Sequence, residues 1–217
     1  LYRLVGSEMC IRDRCWIDEL AHHLKIDPLA YRIQLLNKAV QQNSDNQERL
    51  RLLERSIRVL KEVAKVTNWT EKKGNGLGVA CFNFGGRSPV ATVVESAIDD
   101  SNQIRVIKVT SVVDCGIAVN PDLIKAQFEG GTIFGLSSVF HQQITVNAGA
   151  IEQTNFHDYG SCRMPETPII ETHILPSNDS PEGVGEPSLM TIAPAVLNSV
   201  FTASGKRFRS LPIQYQI

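Results

Sequence analysis

Gly76-Leu77-Gly78-Val79-Ala80-Cys81-Phe82-Asn83-Phe84 is the stretch at which this chain changes period. Before it, apolar residues recur at helical spacing. From it onward they come in short runs of strand length. Leu77–Phe84 reads as a short apolar strand. Pro89–Ile98 and Ile104–Val113 are β-branched runs on either side of the polar turn Asp99-Asp100-Ser101-Asn102, so they are predicted to pair as a hairpin.

Upstream, Ile17, Leu20, Ala21 and Leu24 place a helix over Trp16–Leu24. Asp27 and Pro28 are suited to the N-cap and first position of a second helix, whose stripe is Leu29, Ile33, Leu36 and Val40. Asn43–Asn46 reads as a polar linker. Gln47–Asn68 is a long amphipathic helix with Leu50, Leu53, Ile57, Leu60, Val63 and Ala64 inward, and Glu71–Gly76 is a loop.

Downstream, Asn120 and Pro121 open a helix over Pro121–Phe140. It holds Gly130, Gly131 and Gly135, each costing about 0.5–1 kcal/mol relative to alanine in a helix interior. Such a cost points to tight packing or to close approach of another group. Gln127, just before them, carries two donors and an acceptor, and a buried glutamine there would suit a polar ligand or a local cap. A weak hairpin over Gln142–Val146 and Ala150–Gln153 and a strand over Ile169–Leu175 follow, with His173 toward solvent. The last helix is predicted over Pro194–Ser204, with Gly205 as its C-cap. Lys206, Arg207 and Arg209 suit a helix C-terminus without any anion site.

The 217 residues are 42% hydrophobic and 6% aromatic, which fits one sizeable globular core. Formal charge is 22 − 23 = −1, so there is no electrostatic footprint for nucleic acid or an anionic membrane. No apolar run approaches the roughly 20 residues of a membrane span. The five cysteines are odd in number and widely spaced, without a C-x-x-C pair. This argues against a zinc or iron–sulfur site on this chain and against a disulfide framework. Nothing local supports Cys115 as a nucleophile.

Gly183-Val184-Gly185-Glu186-Pro187-Ser188 sets one carboxylate between glycines and a proline. On its own it is an ordinary surface turn, or a loop able to hold an acid or base over a ligand. At the other end, residues 1–14 show no sustained periodicity. Ser7–Arg14 resembles a translated sequencing-adapter peptide, so residues 1–14 are set aside as non-native or disordered, and 15–217 are taken as the domain.

Six segments, in order, resemble the molybdopterin-binding subunit of the xanthine dehydrogenase/aldehyde oxidase family, closest to the bacterial branch typified by the isoquinoline 1-oxidoreductase beta subunit. They are Ile17–Ala21 with Asp27–Leu29; Val113–Gly116 with Val119–Pro121; Ala126–Gly131; Asn155–Tyr159; Gly183–Pro187; and Ile192–Ala195 with Gly205–Arg207 and Leu211-Pro212. The resemblance implies an α/β fold, the second molybdopterin-binding domain of a molybdenum hydroxylase large subunit. It implies water-derived hydroxylation of an aldehyde or N-heterocycle carbon, with Glu186 as general base. Gln127 matches the glutamine that hydrogen-bonds the cofactor's pterin or phosphate region, and Val184 and Gly185 match backbone beside the molybdenum. No protein ligand to the metal is implied, because the pterin dithiolene supplies the sulfurs. The implied cofactor is molybdenum-molybdopterin, in the cytosine dinucleotide form, with iron–sulfur clusters on a small partner subunit. His157 and Arg163 also match, but a structural or interface role serves them equally. The family's upstream glycine-rich cofactor loops are absent, so the N-terminal part of the same subunit is an implied partner, and the chain alone is expected neither to retain cofactor nor to turn over. Ser188 stands where related sequences often have glycine. The alternative reading is a non-catalytic domain that keeps the fold and docks an iron–sulfur partner.

Overall fold

The computed structural model describes residues 7–43, 45–71, 76–84 and 86–213. Residues 1–6 of the amino-terminal segment, Ser44 of the polar linker and 72–75 of the loop expected at Glu71–Gly76 lie outside the described residues. The element order is α1 (Ser7–His23), α2 (Pro28–Gln42), α3 (Gln47–Val66), β1 (Leu77–Phe84), β2 (Arg87–Ile98), β3 (Ile104–Val113), α4 (Pro121–Phe140), β4 (Val146–Asn147), β5 (Ala150–Ile151), β6 (Ile169–Ile174) and α5 (Pro187–Ser204). The fold is α/β, as expected. Its main sheet has the order β1-β2-β3-β6, antiparallel except for the parallel pair β3–β6. The hairpin β2–β3 forms where it was predicted, with Val90 opposite Val113 and Ile98 opposite Ile104.

Both faces of this sheet are covered. Val79 and Val93 pack with Val59, Leu60 and Val63 of α3 and Leu29 of α2. Their strand neighbours Ala80 and Val94 pack on the other face with Ile192, Val196 and Val200 of α5. This double covering is why β2 is buried almost throughout rather than at alternate residues. Asp27 caps α2 by accepting the N–H groups of Leu29 and Ala30, and it also accepts the Trp69 indole N–H at 2.9 Å, tying the end of α3 to the start of α2.

Several boundaries differ from the sequence reading by a few residues, and two helix starts differ by a full turn or more. Helix α1 begins at Ser7 rather than Trp16, inside the segment set aside as non-native or disordered. The reason is docking: Ile11 and Cys15 pack against the α5 side of the core, and the Arg14 guanidinium lies 4.7 Å over the Phe82 ring and donates to the Cys81 carbonyl. Helix α5 begins at Pro187 rather than Pro194, so Pro194 lies inside it. An interior proline costs about 3 kcal/mol. Burial of α5 residues from Pro187 to Val200, between the sheet and α4, outweighs that cost. Gly205 caps the helix in the left-handed conformation, φ 74°.

Candidate functional site

Helices α4 and α5 meet through the glycines. A Cβ on Gly131 would lie 2.1 Å from Ser188 Oγ, and one on Gly135 would lie 2.7 Å from Ile192 Cβ. The two contacts advance together by four residues, so the helices run parallel here. Gln127, one turn before Gly131, is therefore level with the loop that leads into α5. Val184 confirms the placement: it packs against the cluster of Val90, Val113, Cys115, Ile124 and Phe128. The fold thus brings Gln127, Val184, Gly185 and Glu186 to one region, beyond the carboxyl ends of the parallel strands β3 and β6.

Glu186 is the N-cap residue of α5, at φ −109° and ψ −18°, and its side chain does not cap the helix. It is exposed and makes no hydrogen bond or ion pair with a described residue. Gln127 is likewise exposed, not buried as its suggested role would have it, because Ile124 and Phe128 take the inward positions of that turn. It too has no described partner. Gly130, Gly183 and Gly185 have no heavy atom within 4 Å of where a Cβ would stand, and none has a positive φ. Unlike Gly131 and Gly135, these three are not required by packing within the chain. Ser188, by contrast, is fully buried and its Oγ has no hydrogen-bond partner among the described residues.

The loop before Glu186 is held by groups that sequence reading missed. Arg55 of α3 donates from Nη1 to Glu182 Oε1 and from Nη2 to Glu182 Oε2, both at 2.9 Å. Its Nη2 also donates to the Asp114 carbonyl at 2.9 Å and to Asp114 Oδ1 at 3.1 Å. The Ser88 N–H donates to Glu182 Oε2 at 2.6 Å, and its hydroxyl donates to the Gly183 carbonyl at 2.7 Å. Burial works to raise the Glu182 pKa, but the Arg55 fork and the Ser88 N–H outweigh it and hold the carboxyl below its ordinary range. Backbone bonds complete the frame: Glu182 N–H to the Cys115 carbonyl, and Ile117 N–H to the Asp179 carbonyl, each 2.9 Å. Asp114 stands in one of the quoted family segments, and Glu182 directly precedes another. A link from either to Arg55 crosses too much of the chain for any local pattern to reveal.

His157 and Arg163 lie apart in exposed turns. The His157 imidazole pairs with Asp158 at 3.8 Å, and Asp158 also accepts the Thr154 and Asn155 N–H groups, which bring its pKa down to about 2. Cys115 is buried, and burial pushes its thiol pKa up, opposite to what a nucleophile needs. Among the described residues no three His, Cys, Asp or Glu side chains gather as a metal site. The site instead offers a free carboxylate, a free amide and bare glycine backbone. That donor set fits one wall around a cofactor that brings its own metal ligands.

A four-stranded mixed sheet covered by helices on both faces defines an α/β domain. The family model described as "Molybdopterin cofactor-binding domain" matches residues 21–168, and the chain belongs to that family, as represented in enzymes of the xanthine dehydrogenase type. The match ends before Glu186. The chain is 31% identical over 204 residues to isoquinoline 1-oxidoreductase subunit beta of Brevundimonas diminuta, covering 91% of this chain and 24% of that protein. It is 30% identical over 208 residues to the membrane-bound aldehyde dehydrogenase [pyrroloquinoline-quinone] of Gluconacetobacter polyoxogenes, covering 92% and 27%. The chain thus spans about a quarter of the length of these relatives. Among solved structures, quinoline 2-oxidoreductase from Pseudomonas putida 86 shares the fold over 58% of this chain and 17% of its own, at TM-score 0.52 and 23% identity. No helix among the described residues is long and apolar enough to cross a membrane.

Proposed function

We propose that this chain is the base-bearing domain, residues 15–217, of a molybdenum hydroxylase large subunit that hydroxylates an aldehyde or N-heterocycle carbon with oxygen from water. The observation that carries the reading is the pair of free polar side chains, Glu186 and Gln127, level with each other beside glycine backbone that the chain's own packing does not require.

When bound, a molybdenum–molybdopterin cofactor supplies the two-electron redox chemistry. Its identity follows the family rather than the quinone in one relative's name. Within this chain, Glu186 accepts a proton as general base. It sits at the N-terminal end of α5 with its side chain not engaged in capping that helix. The Gln127 amide would hydrogen-bond the pterin or phosphate region of that cofactor, and the Val184 and Gly185 backbone would stand beside its metal. The cytosine dinucleotide form of the cofactor and iron–sulfur clusters on a small partner subunit complete the proposal.

The rest of the same subunit covers the outer face of α4. Leu123 and Phe134 are 64% and 56% exposed there, on the side of Gln127 and Gly130, so this helix carries large apolar side chains toward solvent as well as toward α5. That exposed face also suits the alternative, a docking domain without catalysis. Glu186→Gln in the complete subunit with its partner separates the two. Turnover should fall by at least about a hundredfold, in line with loss of a general base, while bound molybdenum is retained. Near-normal turnover would exclude Glu186 as the base.

A further inference from the structure

We propose that Arg55 is a positioning residue for Glu186, acting through Glu182; the assignment rests on the reading of Glu186 as the base. Arg55 is 7% exposed and belongs to α3, on the opposite face of the sheet from α5. Its guanidinium reaches past the end of the sheet, where β2 starts and β3 ends, and grips the loop that leads into α5. The grip is bidentate, and the same carboxylate receives the Ser88 N–H, so both Glu182 oxygens are committed. The Glu182 N–H is bonded to the Cys115 carbonyl, and the next carbonyl, that of Gly183, receives the Ser88 hydroxyl. The Glu182 N–H, the Glu182 carboxylate and the Gly183 carbonyl are therefore all held, at the start of the stretch that contains the two glycines.

This matters because Gly183 and Gly185 supply no side chain to fix the segment. Only Val184 anchors it by packing, against Phe128 and its neighbours. A general base must hold its geometry to within about 0.5 Å. Pro187 and buried Ser188 fix the chain after Glu186, and the Arg55–Glu182 fork fixes it before. Buried ion pairs are weak sources of net stability, whereas a planar two-point fork specifies geometry. Asp114 completes the arrangement by holding Arg55 through its carbonyl and Oδ1, while Oδ1 also accepts the Gly116 N–H at 3.3 Å.

The test uses Arg55→Lys, Glu182→Gln and the milder Ser88→Ala, in the full chain and in the complete subunit. In the full chain, hydrogen exchange at the Ile117 and Glu182 amides should quicken by about tenfold or more in Arg55→Lys, while amides of β1–β3 and α5 stay unchanged. In the complete subunit, kcat should fall by about ten- to a hundredfold, with KM and molybdenum content held. Glu182→Gln should behave alike, and Ser88→Ala should give the same pattern at smaller size. Exchange unchanged at those two amides in all three variants overturns the proposal. So does exchange quickened equally across the sheet, which would make Arg55 a core support, or a KM rise with kcat intact. Exchange is read without turnover, so a Glu186→Gln subunit of normal activity would remove the base reading while the loop clamp could still be seen in the exchange pattern.

Discussion

Arg207 Nη2 donates to Asp18 Oδ2 at 2.8 Å across 189 residues of sequence, joining the first helix to the segment that follows the last. Asp18 is 2% exposed. Arg32 Nη1 stands 3.7 Å from its other oxygen, and His22 Nε2 stands 3.4 Å from Oδ2. The Arg207 guanidinium also stacks 3.5 Å over the Phe201 ring, and Arg209 pairs with Glu19 one position along. The cations after α5 thus close α1 onto the core, and their position past a helix C-terminus is only part of their explanation.

The Asp18 cluster makes stability fall in acid. Burial raises the Asp18 pKa, but the His22 contact and the two guanidiniums outweigh it, so the folded pKa lies below the ordinary 3.8. A depressed carboxyl pKa contributes stability that is complete above the unfolded value and is lost as pH falls through the folded one. Urea unfolding of the chain should therefore show an acid-side loss below about pH 4, and Asp18→Asn should flatten that loss. At neutral pH the same substitution should cost about 3 kcal/mol or more, because it leaves buried arginine charge uncompensated. An unchanged acid limb in Asp18→Asn would remove Asp18 as its source.

Ser188 and Gly131 should behave as a coupled pair. Gly131→Ala places a Cβ 2.1 Å from Ser188 Oγ, and the clash should exceed the helix-propensity gain, giving a net cost of about 1–3 kcal/mol. In a Ser188→Gly background the obstacle is gone, so Gly131→Ala should then be neutral or stabilising, by up to about 1 kcal/mol. A double-mutant cycle in urea reads the coupling, expected at about 1 kcal/mol or more. Additive effects would mean that the two helices move apart easily.

The outer face of α4 can be tested without disturbing the core. Leu123→Ser and Phe134→Ser alter exposed side chains, so the chain's own unfolding midpoint should shift by no more than about 0.5 kcal/mol equivalent. Assembly with the rest of the subunit should nevertheless weaken, seen as loss of co-purification and of bound molybdenum. Full molybdenum content in the double variant would show that this face is not where the remainder of the subunit packs.

Local patterns carried the fold far. Asp27, Asn120 and Gly205 serve as the caps that their residue types suggest, and the β2–β3 hairpin and α4 lie where periodicity places them. The start of α5 was misread because Pro194 is a helix breaker by intrinsic preference, and only burial between sheet and α4 overrides that preference. The start of α1 was misread because its reach to Ser7 depends on contacts with β1 and the core, not on its own periodicity.

The sequence by itself supplied the residues proposed to act here: the carboxylate of Glu186, the amide of Gln127 and the small residues around them. Their types and order are local properties, and they pointed to the family that the comparisons bear out. Tertiary structure alone decided that Gly131 and Gly135 let two helices touch, while Gly130, Gly183 and Gly185 leave backbone open. It alone joined Arg55 to Glu182. A buried fork between distant residues leaves no periodic trace, because its partners are selected by how the sheet and helices stack.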